Sequence, residues 1–90
     1  MEDFKTLKVS GRSPVKETAG SIVKIYEGGQ RNIELRAIGA SSVNQAMKSI
    51  ATARTIFAGK GLDLYVAPGF DNVQVEGNDR TVMVFRVIIK

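Results

Sequence analysis

Hydrophobic residues recur at helical spacing over 15–26 and again over 43–57, and the stretches around them alternate instead. This switching of period leaves few folds open to the chain. Phe4 to Ser10 alternates, with Phe4, Thr6 and Lys8 on one side and Lys5, Leu7 and Val9 on the other, as a strand does. Gly11-Arg12-Ser13-Pro14 breaks it, and Ser13 before Pro14 predicts a helix start with a hydroxyl cap and a proline in the first turn. Val15, Ala19, Ile22 and Tyr26 then form an apolar stripe that Gly28-Gly29 closes. Asn32 to Ile38 predicts a second strand, with Ile33, Leu35 and Ala37 on one face. After Gly39, Ser41 or Ser42 is expected to cap a helix running to about Ala58, striped by Val43, Met47, Ile50 and Phe57 with Ala46 and Ala53 beside them.

Leu62, Leu64 and Val66 alternate again. Pro68-Gly69 predicts a bulge or bend at an exposed edge, after which Val73 and Val75 resume the strand. Glu76-Gly77-Asn78-Asp79 predicts a polar turn, and Thr81 to Ile89 a closing strand rich in β-branched residues. The order is βαβαββ. Ninety residues allow one domain, 1–90, and right-handed crossovers place both helices on one face of a four-stranded mixed sheet, an α+β two-layer sandwich within the broad α/β class.

The chain has neither histidine nor cysteine, which removes the commonest general base, the commonest metal ligand and every disulfide. Its carboxylates are scattered without ligand spacing, so no metal, cofactor, small-molecule substrate or enzymatic activity is expected. No apolar run is long enough for a membrane span or a signal peptide, and a cytoplasmic protein is expected. The net charge of +4 favours an acidic partner, with nucleic acid first.

The segment GASSVNQAMKSIATAR, preceded by RAI and followed by FAGKGLDLYVAPGF, resembles the stage V sporulation protein S family. The resemblance runs from about Leu7 to Ile89, and its markers are Ala37-Ile38-Gly39-Ala40, Asn44-Gln45-Ala46, Lys48, Ala53-Arg54 and the stretch from Pro68 to Phe70. It implies a fold like that of the archaeal chromatin protein Alba, whose element order is the same. In Alba-like proteins a basic loop after the first strand, the start of the second helix and the last hairpin approach nucleic acid. Carried onto this chain, the loop is Gly11-Arg12-Ser13-Pro14, with one of two cationic positions kept. The start of the second helix keeps Gly39 but has Ile38 and Ala40 where Alba has arginines, and Gln45 stands about where Alba has a lysine.

Two readings stand for Gly39 to Asn44. A glycine turn at a helix N-terminus can present free amides to a phosphate, with Ser41, Ser42 and Asn44 adding donors; alternatively a serine simply caps the helix. Asn44, Lys48, Thr52 and Thr55 form a polar ribbon that is either part of a binding track or a solvated helix face. Both βα loops, 11–14 and 39–42, should lie at one edge of the sheet, where Arg12, Lys16, Ser42 and Asn44 converge; Ser13, Gly39, Ser41 and Lys48 are the further candidate nucleic-acid contacts. Arg54 is placed near the edge of the buried side, where it can snorkel, pair with a carboxylate or cross an interface. A homo-dimer or higher homo-oligomer is expected, with Met47, Arg54, Phe57 and Phe70 at its interface. The expected function is binding of DNA or RNA with low sequence specificity in a regulatory setting. The alternative is an oligomeric protein-interaction module that keeps the fold without binding nucleic acid.

Overall fold

A computed structural model describes residues 3–90. The elements follow the order β1 (Lys5–Val9), α1 (Val15–Glu27), β2 (Ile33–Ala37), α2 (Ala40–Ala58), β3 (Leu64–Val75) and β4 (Asn78–Ile89). The four strands lie in the order β1-β2-β4-β3. β1 runs parallel to β2, from Lys5 opposite Ile33 to Val9 opposite Ala37, and β4 runs antiparallel to both of its neighbours.

One face of the sheet is built by Leu7 and Val9, by Ile33, Leu35 and Ala37, and by Phe85 and Val87, all in the core with residues of both helices. α1 contributes Ala19, Ile22 and Val23, and α2 contributes Ala46, Ser49, Ile50, Ala53 and Phe57. The centre of the α2 stripe is therefore its small residues. Val43 is only half-buried and Met47 lies at the rim, 42% exposed. Ala46, Ser49 and Ala53 let the two helices approach closely, and the buried Ser49 hydroxyl donates to the Gln45 carbonyl oxygen within the helix.

Phe57 corrects the sequence expectation. It is fully buried and meets Tyr26 edge-to-face at 5.2 Å, so it belongs to the core and offers no surface to a second subunit.

Neither helix is capped as expected. Pro14 and Gly39 occupy the N-cap positions, and no side chain bonds the first-turn amides of either helix. The Ser13 hydroxyl instead accepts the Ser10 amide at 2.8 Å, folding the loop onto itself. Gly39 turns the chain with φ of 88°, a conformation glycine adopts without a Cβ penalty. Ser42 points into the protein and is buried.

The bulge expected at Pro68-Gly69 is absent. The β3–β4 register runs unbroken from Leu64 opposite Ile89 to Val75 opposite Asn78, through Pro68 opposite Phe85. Proline fits because β3 is an edge strand and its missing N–H costs no ladder bond. The hairpin turn is also tighter than expected. Glu76 and Gly77 alone make it, both with positive φ (53° and 80°) as a type I′ turn requires, and Asn78 and Asp79 join β4.

β2 pairs with β4 only as far as Met83 opposite Ala37. Beyond that rung β3 and β4 continue as a two-stranded arm that carries no further sheet neighbour, and the molecule reaches 44 Å along its longest axis against 18 Å along its shortest. Among the described residues no helix is long and apolar enough to cross a membrane.

Candidate nucleic-acid interface

The parallel pairing of β1 and β2 makes both strands end at the same edge of the sheet, at Val9 and Ala37. Both βα loops therefore start side by side. The β3–β4 arm leaves the sheet at this same edge, because β4 enters its pairing with β2 at Met83, opposite Ala37. Loop 10–14, the first turn of α2 and the arm thus share one end of the molecule.

Two contacts hold the loops together. Gln45 Nε2 donates to the carbonyl oxygen of Ser13 at 2.9 Å, reaching from the second turn of α2 to the loop before α1. Gly11 lies so close to Ser41 that a Cβ at this position would collide with the Ser41 hydroxyl. Within the loop, Ser13 N–H donates to the Ser10 carbonyl at 3.2 Å, and Arg12 N–H donates to the Ser10 hydroxyl at 3.1 Å. In these bonds both serine hydroxyls accept backbone amides, and the Arg12 side chain is left exposed at the loop tip.

The loops that carry Arg12 and Ser13 on one side and Gly39 and Ser41 on the other lie side by side. Lys16 follows in the first turn of α1, exposed, and Asn44 and Lys48 are exposed along α2. Lys48 stands about 10 Å along the helix axis from Ser41 at 1.5 Å per residue, so it extends the edge and lies outside its centre. Ser42 does not join them, since its side chain is buried. Ser13 contributes through its carbonyl, which Gln45 occupies, and through a hydroxyl already bonded to Ser10.

The first intrahelical bond of α2 runs from Val43 N–H to the Gly39 carbonyl at 3.0 Å. The amides of Ala40 and Ser41 therefore have no acceptor within the helix, and the first turn carries no acidic residue to neutralise the dipole. Arg12 and Lys16 add positive side chains to the loop edge, while the arm tip carries Glu76 and Asp79 beside Arg80.

Two residues have roles here that the sequence does not show. Gln45 stands about where Alba has a lysine, but its role as the tie between loops depends on a partner 32 positions away. Arg80 sits on the arm, opposite Val73, and carries a positive charge out from the same edge.

The root of the arm is anchored by Arg36. Its guanidinium donates to Asp71 at 2.6 Å and to the largely buried Glu34 at 3.3 Å, joining the central strand β2 to the edge strand β3. The bond from Arg36 holds the Asp71 carboxyl below the usual carboxylate range.

The residues expected at an oligomer interface divide. Phe70 is 78% exposed on the helix-bearing face of β3, and Met47 is exposed on α2. Arg54 is engaged within its own chain, where Nε donates to Asp63 Oδ1 at 2.8 Å and Nη2 to Oδ2 at 3.4 Å. That fork, helped by the Leu64 amide, lowers the Asp63 carboxyl to about 2.

A family model described as stage V sporulation protein S matches residues 5–90. Among solved structures, Alba from Thermoplasma volcanium is similar to this chain with a TM-score of 0.63 and 15% identity, over 96% of this chain and 99% of that one. At this identity the likeness is one of fold, and the fold is Alba-like.

Proposed function

Since the chain belongs to the stage V sporulation protein S family and has the Alba-like fold, we propose that it is a cytoplasmic regulatory protein that binds DNA or RNA through phosphate contacts, with low sequence specificity. The observation that carries this reading is the Gln45–Ser13 bond, which fixes Arg12 beside the uncapped amides of Ala40 and Ser41. Cation and helix N-terminus then act on the same phosphate, while Lys16, Lys48 and Arg80 meet neighbouring ones. Phosphate contacts position a protein without reading bases, which accords with a surface of cations, amides and small side chains. The similar solved structure is named for Alba alone, so the chemistry is argued from this chain's residues.

Self-association is part of the reading. Phe70, on the rung of Met83 and Ala37, and Met47 on α2 are exposed apolar side chains on the helix-bearing side. A homo-dimer or higher homo-oligomer would set two loop edges on one nucleic acid and raise affinity by avidity.

Ile38 and Ala40, which flank Gly39 without charge, favour the second reading, an oligomeric protein-interaction module without nucleic-acid binding. Fluorescence anisotropy separates the two, using a labelled duplex and a labelled single strand at several salt concentrations. Phosphate binding predicts log affinity falling with log salt at a slope of about 0.9 per contact on duplex DNA, and a shallower slope for Arg12→Ala. Absence of binding to both at low salt rejects the nucleic-acid reading.

A further inference from the structure

No helix packs on the sheet face opposite α1 and α2, and its make-up, with Val82 and Glu34 buried within it, is unlike that of an ordinary solvated face. The ladder assigns Thr6 and Lys8 of β1, Glu34 and Arg36 of β2, Val82, Val84, Arg86 and Ile88 of β4, and Tyr65, Ala67, Gly69 and Asp71 of β3 to this side. Antiparallel sheets with one wet face alternate apolar and polar residues, but β4 reads VMVFRVII from Val82 to Ile89 and is apolar toward both faces.

Cations outnumber carboxylates on this face. The strands present Lys8, Arg36, Arg80 and Arg86 against Glu34 and Asp71, and Arg36 alone holds both carboxylates. Among the described residues Lys8 and Arg86 form no ion pair. Each aromatic ring on this face already has a cation against it. The Arg86 guanidinium lies 4.7 Å from the Phe4 ring centroid, and the Lys90 ammonium 5.5 Å from that of Tyr65.

The rings also share a row. Lys5 pairs with Ile33 and Ile33 with Val87, so one rung outward Phe4, Asn32, Ile88 and Tyr65 cross the sheet in line. Three strand spacings separate the two rings, about 14 Å. Tyr65 is 47% exposed and Ile88, between the rings, 43% exposed. Beside this row, Arg36 and Arg86 rise on either side of a floor of Ala67, Gly69 and Val84.

From this arrangement we infer that the helix-free sheet face is a second binding surface, separate from the loop edge, that takes single-stranded nucleic acid. Unpaired bases stack on Tyr65 and Phe4 over the apolar row, and phosphates lie against Arg86 and Lys8. A stacking platform with interleaved cations matches the chemistry of single strands, whose bases are free to lie flat on aromatic rings, and not that of a duplex, whose bases are already stacked. The unpaired cations also decide against a second copy of this chain as the occupant, because two such faces would bring like charges together.

The test uses the full chain with labelled oligo-dT and oligo-U and a labelled duplex. The chain has two tyrosines and no tryptophan, so tyrosine emission reports stacking directly. Saturating single strand should quench part of this emission. Tyr65→Phe should abolish that quench, with Tyr26 as the remaining emitter, while keeping the affinity. Tyr65→Ala and Arg86→Gln should each weaken single-strand binding about fivefold or more and leave duplex binding unchanged. Arg12→Ala should do the reverse. Circular dichroism reports whether each variant is folded, and should Tyr65→Ala unfold, the quench and its loss in Tyr65→Phe still decide. The proposal fails if single strand binds without quenching, if Arg86→Gln binds it like the parent chain, or if the face variants lower the particle mass in light scattering, which would make the face a contact between copies.

Discussion

Gln45 Nε2 and the carbonyl oxygen of Ser13, 2.9 Å apart, join two segments that the chain builds separately. The bond fixes the spacing between the loop that carries Arg12 and the helix end that offers free amides. Gln45→Ala removes one neutral hydrogen bond, which costs about 1 kcal/mol of stability. Its larger effect should be on binding, with duplex affinity falling several-fold while the far-ultraviolet spectrum stays unchanged. Equal affinity in anisotropy titrations would show that the loops keep their spacing without the tie.

Gly11 and Ser41 set how near the two loops come. Gly11→Ala brings its methyl against the Ser41 side chain, and the loop must open or Ser41 must turn aside. A destabilisation of about 1 kcal/mol is expected by chemical denaturation, since crowding a packed contact usually costs 1–3 kcal/mol and a serine can yield. Ser41→Gly should recover much of that loss in the double variant. An additive pair would place the strain elsewhere.

Arg54 and Asp63 make a pH-sensitive pair. The Asp63 carboxyl is lowered from 3.8 to about 2 in the folded chain. Its contribution to stability is therefore complete above the ordinary carboxylate range and fades as pH falls from about 4 through about 2. Acid unfolding of Asp63→Asn should lack this component, and its curve should approach that of the parent chain at the acid end. In Arg54→Ala, carboxyl NMR should find Asp63 titrating higher, though still assisted by the Leu64 amide.

Glu76 holds a left-handed backbone at the hairpin turn, with φ of 53°. Asparagine tolerates that region far better, and Asn-Gly is the favoured pair for this turn. Glu76→Asn should raise stability by up to about 1 kcal/mol, or several degrees in Tm for a chain of this size. A lower Tm would mean that the glutamate makes a compensating interaction.

Phe70 is the most exposed of the large apolar side chains, at 78%. If it seals a contact between copies, Phe70→Ala should lower the mass measured by light scattering while leaving the secondary structure intact. An unchanged mass would detach self-association from this side chain.

Most of the fold was legible because its elements obey simple periods. The alternation of Ile33, Leu35 and Ala37 placed β2 correctly, and the spacing of Ala19 and Ile22 placed the buried side of α1. What was hidden depends on neighbours distant in sequence. The serines before each helix look like caps, but Ser13 turns to Ser10 and Ser42 turns inward. Pro68 looks like a break, yet at a sheet edge its lost donor matters little. Phe57 and Met47 lie on neighbouring helical positions of one apolar side, and only the seat of α2 on α1 decides which is core and which is rim. The sequence places Arg54 by preference at an interface, and the carboxylate it pairs with in its own chain, Asp63, lies just before β3, where spacing along α2 could not reveal it.

The ribbon of β3 and β4 past Met83 is fastened at its root by Arg36 and Asp71 and touches no third strand beyond. Mechanically it is a lever whose root is tied by Arg36 and Asp71 and whose β4 strand runs on into the packed layer through Met83, Phe85 and Val87. Residues 72–81 should therefore tolerate changes in length or an inserted tag at little cost to folding, because they pair only with each other.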